Sequence, residues 1–141
     1  EYDDDMYPKY ITATAQSIAE NYDAAKATAT TLAITNLAGK IQTEVTALVE
    51  NTVANQQLPA EEAASIVEVL MQSKNLISQS IGRTMTVVEC YRVLENKNRE
   101  VMVRIAYDGK LAKQATQKAV RDALDKKGQN LHSQLDKVLG L

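Results

Sequence analysis

The stretch GRTMTVVECYRVLENKNREVMVRIAYDGK, residues 82–110, decides how the chain is read. Two runs rich in β-branched residues alternate on either side of ENKNRE, and a period of two marks strands whose two faces differ. The asparagines between them tolerate tight-turn backbone, so an antiparallel hairpin is predicted. The first run puts Met85, Val87, Glu89, Tyr91 and Val93 on one face and Thr86, Val88, Cys90, Arg92 and Leu94 on the other. The second alternates Val101, Val103, Ile105 and Tyr107 against Met102, Arg104 and Ala106, with the Val101 face as the expected core side.

Toward the N-terminus, Lys9 to Ser17 alternates Tyr10, Thr12 and Thr14 against Ile11, Ala13 and Ala15, which predicts a short half-buried strand. From Asn21 the period lengthens: Ala27, Ile34, Leu37, Ile41, Val45 and Leu48 recur at helical steps, so a helix is expected to about Val53. Asn21 or Asp23 can cap its start by accepting a backbone N–H, and Pro59 ends the region. Pro59, Glu61 and Glu62 then suit the first turn of a second helix, whose apolar face is Ile66, Val69, Leu70, Leu76 and Ile77. After the hairpin, Asp108 and Gly109 turn the chain into a last helix carrying Leu111, Ala115, Ala119, Ala123 or Leu124, Leu131, Leu135 and Val138, with Gly128 as a point of interruption.

The expected fold is therefore α+β: a small three-stranded sheet, strand one plus the hairpin, packed against long helices in the order β-α-α-β-β-α. Residues 1–8 read as a polar tether and 9–141 as one domain, a length that buries a core without disulfide staples. Six tyrosines with no tryptophan or phenylalanine leave a small-molecule pocket short of large aromatic walls. Charge is uneven, with four basic and eleven acidic residues in 1–82 and twelve and seven in 83–141, a pattern that most often marks solvated surface.

No catalytic, cofactor-binding or metal-ligating residue is assigned. A nucleophile of the cysteine or serine kind needs a nearby base, and the single histidine, His132, is read as a surface or helix-end residue while Cys90 is read as a small buried hydrophobe. Too few thiols and imidazoles are present for zinc, and Asp3, Asp4 and Asp5 lack the spacing of a calcium loop. The scattered glycines write neither a P-loop nor a dinucleotide fingerprint. Lys110, Lys113, Lys118, Arg121, Lys126 and Lys127 are interrupted by Asp122 and Asp125 and lack stacking aromatics, which argues against nucleic acid. A cleft gathering Tyr91, Tyr107, Arg104 and a carboxylate would be the place to look for an enzyme. The sheet edge remains as a surface that binds without catalysis.

Strand one with its small residues (YITATA), the helix AAKATATTLAITNLAGKIQTEV, and a hairpin with VVECYRV and EVMVRIAYD together resemble the twenty-kilodalton bacterial membrane-associated lipoprotein family and related domains of exported flagellar-assembly proteins. The likeness covers about Tyr10 to Lys118. It departs where Ala13 and Ala15 replace glycines usual in the strand. The resemblance implies a non-catalytic module exported to the periplasm, outer membrane or cell surface. It implies a lipid anchor on a cysteine preceding Glu1, since Cys90 lies inside a strand, and binding to a protein or envelope component. Self-association through the first helix, whose apolar spacing is close to a heptad, is the alternative expectation.

Overall fold

In the computed structural model, which describes residues 10–141, the alternating and helical patterns resolve into eight elements. They are β1 (Tyr10–Ala19), α1 (Tyr22–Ala54), α2 (Ala60–Met71), α3 (Lys74–Ser80), β2 (Met85–Val93), β3 (Arg99–Asp108), α4 (Gly109–Lys126) and α5 (His132–Leu139). The fold is α+β, with a three-stranded antiparallel sheet packed against helices. The acidic tether expected in 1–8, with Lys9 of strand one, lies outside the described residues.

Two compact units make up the chain: a sheet unit of the chain up to Leu37 with Gly82–Lys110, and a helical unit of Ala38–Ile81 with Leu111–Leu141. In the sheet unit the strand order is β1-β3-β2. β3 is central, and on one of its faces Val101, Val103, Ile105 and Tyr107 are all buried. Opposite them on β1 stand Ser17, Ala15, Ala13 and Ile11, in a register that runs unbroken from Tyr10 against Asp108 to Ala19 against Arg99. The first part of α1 adjoins this face, since its Tyr22 reaches Glu89 and Tyr91 of β2 and its Asn36 Nδ2 donates to the Thr14 carbonyl at 3.0 Å.

The hairpin forms as expected, but its turn uses a different residue. Lys97, not an asparagine, takes the left-handed conformation (φ 67), while the Asn96 carboxamide accepts the Asn98 N–H at 3.1 Å. The face assignment along β2 also changes, because a register shift falls between Thr86 and Val88. Such an irregularity breaks the period of two. Met85 therefore opposes Ala106 and shares the outer face with Val88, Cys90 and Arg92, while Glu89 and Tyr91 oppose Val103 and Val101.

Helix α1 starts as its sequence implies, with Asn21 Oδ1 accepting the Ala24 N–H at 2.8 Å. Its buried stripe, however, is Ala25, Ala29, Ala33, Leu37, Ile41, Val45 and Val49, so Ala27, Ile34 and Leu48 do not belong to it. Ala25, Ala29 and Ala33 lie in the sheet unit, where bulk comes from β3 and from Leu37 at its end, and Ile41, Val45 and Val49 lie in the helical unit. Close packing is reached by pairing small with large, and the alanine-rich tract needs no further explanation. The threonines are accommodated by bonding back to carbonyls four residues earlier, as Thr30, Thr31, Thr35, Thr43, Thr46 and Thr52 all do.

In the helical unit the predicted second helix divides into α2 and α3 around Gln72 and buried Ser73, whose hydroxyl donates to the Val69 carbonyl at 2.6 Å. Pro59 stands one residue before the helix as its N-cap. The carbonyls freed at the end of α2 are met by the buried Gln42 of α1, whose Nε2 donates to Leu70 O at 2.9 Å. The last predicted helix also divides. Gly128 (φ +69) ends α4 with the Gln129 N–H returning to Leu124 O, and Gly140 (φ +72) ends α5 with the Leu141 N–H returning to Asp136 O. These are left-handed glycine caps. Leu111 is exposed and Ala112 takes the buried place beside it.

Candidate binding edge

β2 is the outermost strand on its side of the sheet, and all nine of its residues are exposed. Cys90 is among them, which corrects the expectation of a buried thiol. The reason is its place in the sheet: β3 covers one side of its backbone, and among the described residues no other strand pairs with it. The strand nevertheless carries Met85, Val87, Val88, Tyr91 and Val93, all exposed large apolar side chains. It contains neither lysine nor proline, two devices that usually keep an edge from pairing.

One polar clasp holds this strand to α1. The Tyr22 hydroxyl donates to Glu89 Oε2, Lys26 Nζ lies 3.1 Å from Glu89 Oε1, and the Tyr22 ring meets Tyr91 edge-to-face at 5.1 Å between centroids. The Lys26 ammonium also sits 5.8 Å from the Tyr22 ring centroid. The hydrogen bonds from Tyr22 and Lys26 hold the Glu89 carboxyl below its ordinary value. The same carboxylate raises both Tyr22 and Lys26, in each case first through the hydrogen bond. On the outer face, Arg92 Nε donates to Glu100 Oε1 at 2.7 Å. Both charges of β2 are therefore matched within the chain.

The helical unit carries a polar cleft of about 390 Å³ lined by Gln117, Lys118, Arg121, Asp122, Asp125 and His132. His132 stands at the start of α5, where the sequence places it at a helix end. Its Nε2 lies 2.8 Å from Asp125 Oδ1 and its Nδ1 lies 3.4 Å from Arg121 NH2. With the proton on Nε2, the ring donates to the carboxylate and accepts from the guanidinium. These two contacts brace α5 on α4. Cys90 belongs to the sheet unit and His132 to the helical unit.

The other sequence candidates disperse. Tyr91 opposes Val101, whereas Tyr107 lies six residues further along β3 and its hydroxyl accepts the Gly82 N–H at 3.2 Å. Arg104 is on the opposite face, donating to Thr14 Oγ1 at 3.1 Å. Glu61 and Glu62 occupy the first turn of α2, and Glu62 accepts from Gln134 Nε2 at 3.2 Å. Lys127 reaches Gln72 Oε1 at 2.7 Å. Among the described residues no group of three or more His, Cys, Asp or Glu could hold a metal ion, and no helix is long and apolar enough to cross a membrane. The Tyr22–Glu89 contact spans 67 residues and left no local signal in the sequence. No family model, curated protein or solved structure matches this chain.

Proposed function

We propose that this chain is a non-catalytic binding module that works by strand addition at β2, where an extended segment of a partner becomes the fourth strand. The observation that carries the reading is a nine-residue edge strand that is exposed along its whole length and rich in apolar side chains. In strand addition the main chain supplies hydrogen bonds while alternate side chains supply selectivity, so no catalytic group is required. Peptides selected from a random library on the immobilised protein test it. Binders should slow amide exchange in Met85–Val93 and leave Tyr10–Ala19 unchanged; binders that protect only other segments would overturn it.

The proposal includes an envelope location, supported by the small-residue strand, the alanine-rich helix and the hairpin in which the lipoprotein resemblance lies. Expression of the complete gene with a labelled fatty acid checks that part. Label in a membrane-recovered product is expected, and an unlabelled cytosolic product would remove the envelope while leaving strand addition in place. Self-association through α1 has less to draw on, because Leu37, Ile41 and Val45 are buried within the chain.

A further inference from the structure

We infer that the strand added at β2 is the β2 of a second copy, paired antiparallel about a two-fold axis at Cys90 to make one six-stranded sheet. This rests on the strand-addition reading and names its partner. Three observations favour a second copy. First, the charges on β2 are already compensated, Glu89 by Lys26 and Arg92 by Glu100, so the edge offers an acidic or basic peptide no unmatched charge. A neutral, β-branched strand suits it, and β2 itself is one.

Second, charge and length together select a register. In a symmetric antiparallel pair, residues opposite one another lie on the same face and one residue faces its own copy. Centring on Glu89 or Arg92 sets like charges face to face, which destabilises a sheet pair. Centring on Val88 carries the ladder through the irregularity between Thr86 and Val88, and centring on Tyr91 runs it past the strand end at Val93. Centring on Cys90 keeps Val88–Arg92 paired within the strand and clear of the irregularity, which Val93 meets only at Val87. It sets Val88 against the partner's Arg92 and Glu89 against the partner's Tyr91, with no like charges opposed.

Third, this pairing closes. β1, the other edge, has its Thr14 carbonyl taken by Asn36 of α1, so two copies joined at β2 present their capped edges outward. Pairing β2 of one copy with β1 of the next would instead continue indefinitely.

The register places the two Cys90 α-carbons about 4.5–5.5 Å apart, the separation of directly opposed antiparallel residues. That lies inside the disulfide range of roughly 4.4–6.8 Å. The test begins with sedimentation of the full chain in reducing buffer, where a dimer is expected, together with amide exchange of β2 that slows as protein concentration rises. Mild oxidation follows, in which dissolved oxygen with a copper–phenanthroline catalyst takes two electrons and two protons from a thiol pair. The wild type should cross-link through Cys90, and the C90A/R92C variant should lose the cross-link, although position 92 is also exposed. A cross-link at position 92 and none at 90 would overturn the register. A monomer at every concentration would overturn the second copy, and selected peptides that still protect β2 would show that strand addition survives it. A dimer with no protection of β2 would overturn the pairing through β2, and selected peptides that also left β2 unprotected would overturn strand addition.

Discussion

The two edges of the sheet differ in a way that their compositions do not foretell. β1 is richest in alanine, threonine and isoleucine, and in it Ala13 is buried and every second residue is at least partly covered. β2 is built from valine, methionine and tyrosine, yet nothing in it is buried. The difference is one of position. β1 lies where α1 passes, with Asn36 closing one of its carbonyls, whereas β2 meets α1 through the clasp at Tyr22 and Lys26. Hydrophobic content states how much a strand gains from burial, and sheet order decides whether one chain supplies it. The shortfall at β2 is the reason to expect a partner there.

Substitutions can break or sharpen this contrast. The largest effect is expected under both edges at once: Ile105→Ala, at a fully buried position of β3, should cost about 2–5 kcal/mol in urea unfolding. Ala13→Leu on β1 comes next, since overpacking a covered site typically costs about 1–3 kcal/mol. Its counterpart Val88→Thr on β2 should stay within about 0.5 kcal/mol of wild type, because the new hydroxyl stays in reach of water at an exposed position and the side chain keeps its branched shape. Equal effects at the two sites would erase the contrast. Asn36→Ala should cost about 0.5–1.5 kcal/mol and speed local amide exchange by releasing the Thr14 carbonyl.

The smallest expected change in stability is that of Glu89→Gln, which is best read by titration. Glu89 is held below its ordinary 4.5, so its contribution is present above that pH and is lost as the pH falls through the lowered value. Tyr22 and Lys26 are raised above 10.0 and 10.5, so theirs are present below those values and are lost as the pH rises through the raised ones. The clasp thus holds across the neutral range. In Glu89→Gln the Tyr22 phenol, followed by ring-carbon NMR, should titrate closer to 10.0.

The sequence exposed some of this architecture and hid the rest for physical reasons. The buried face of β3 was legible because Val101, Val103, Ile105 and Tyr107 alternate with a set that includes Glu100 and Arg104. The exposure of β2 was not, since both arms of a hairpin show the same alternation whichever becomes central. Only the pairing of β1 with β3, about ninety residues away in sequence, settles that. The phase of α1 was misread because alanine and threonine differ too little in hydropathy to mark a face. Ser73 concealed the break between α2 and α3, whereas Gly128 announced the end of α4 by its freedom at positive φ. The clasp was invisible, since it joins Tyr22 to a strand 67 residues on.

That clasp also gives the molecule an optical reporter of its own. With no tryptophan and no phenylalanine in the sequence, the six tyrosines are its only aromatic ultraviolet emitters. A phenol hydrogen-bonded to a carboxylate can pass its proton on excitation and lose its emission, so the bond to Glu89 is expected to quench Tyr22. Separation of β2 from α1 should then raise the tyrosine emission, a release signal that needs no dye or label.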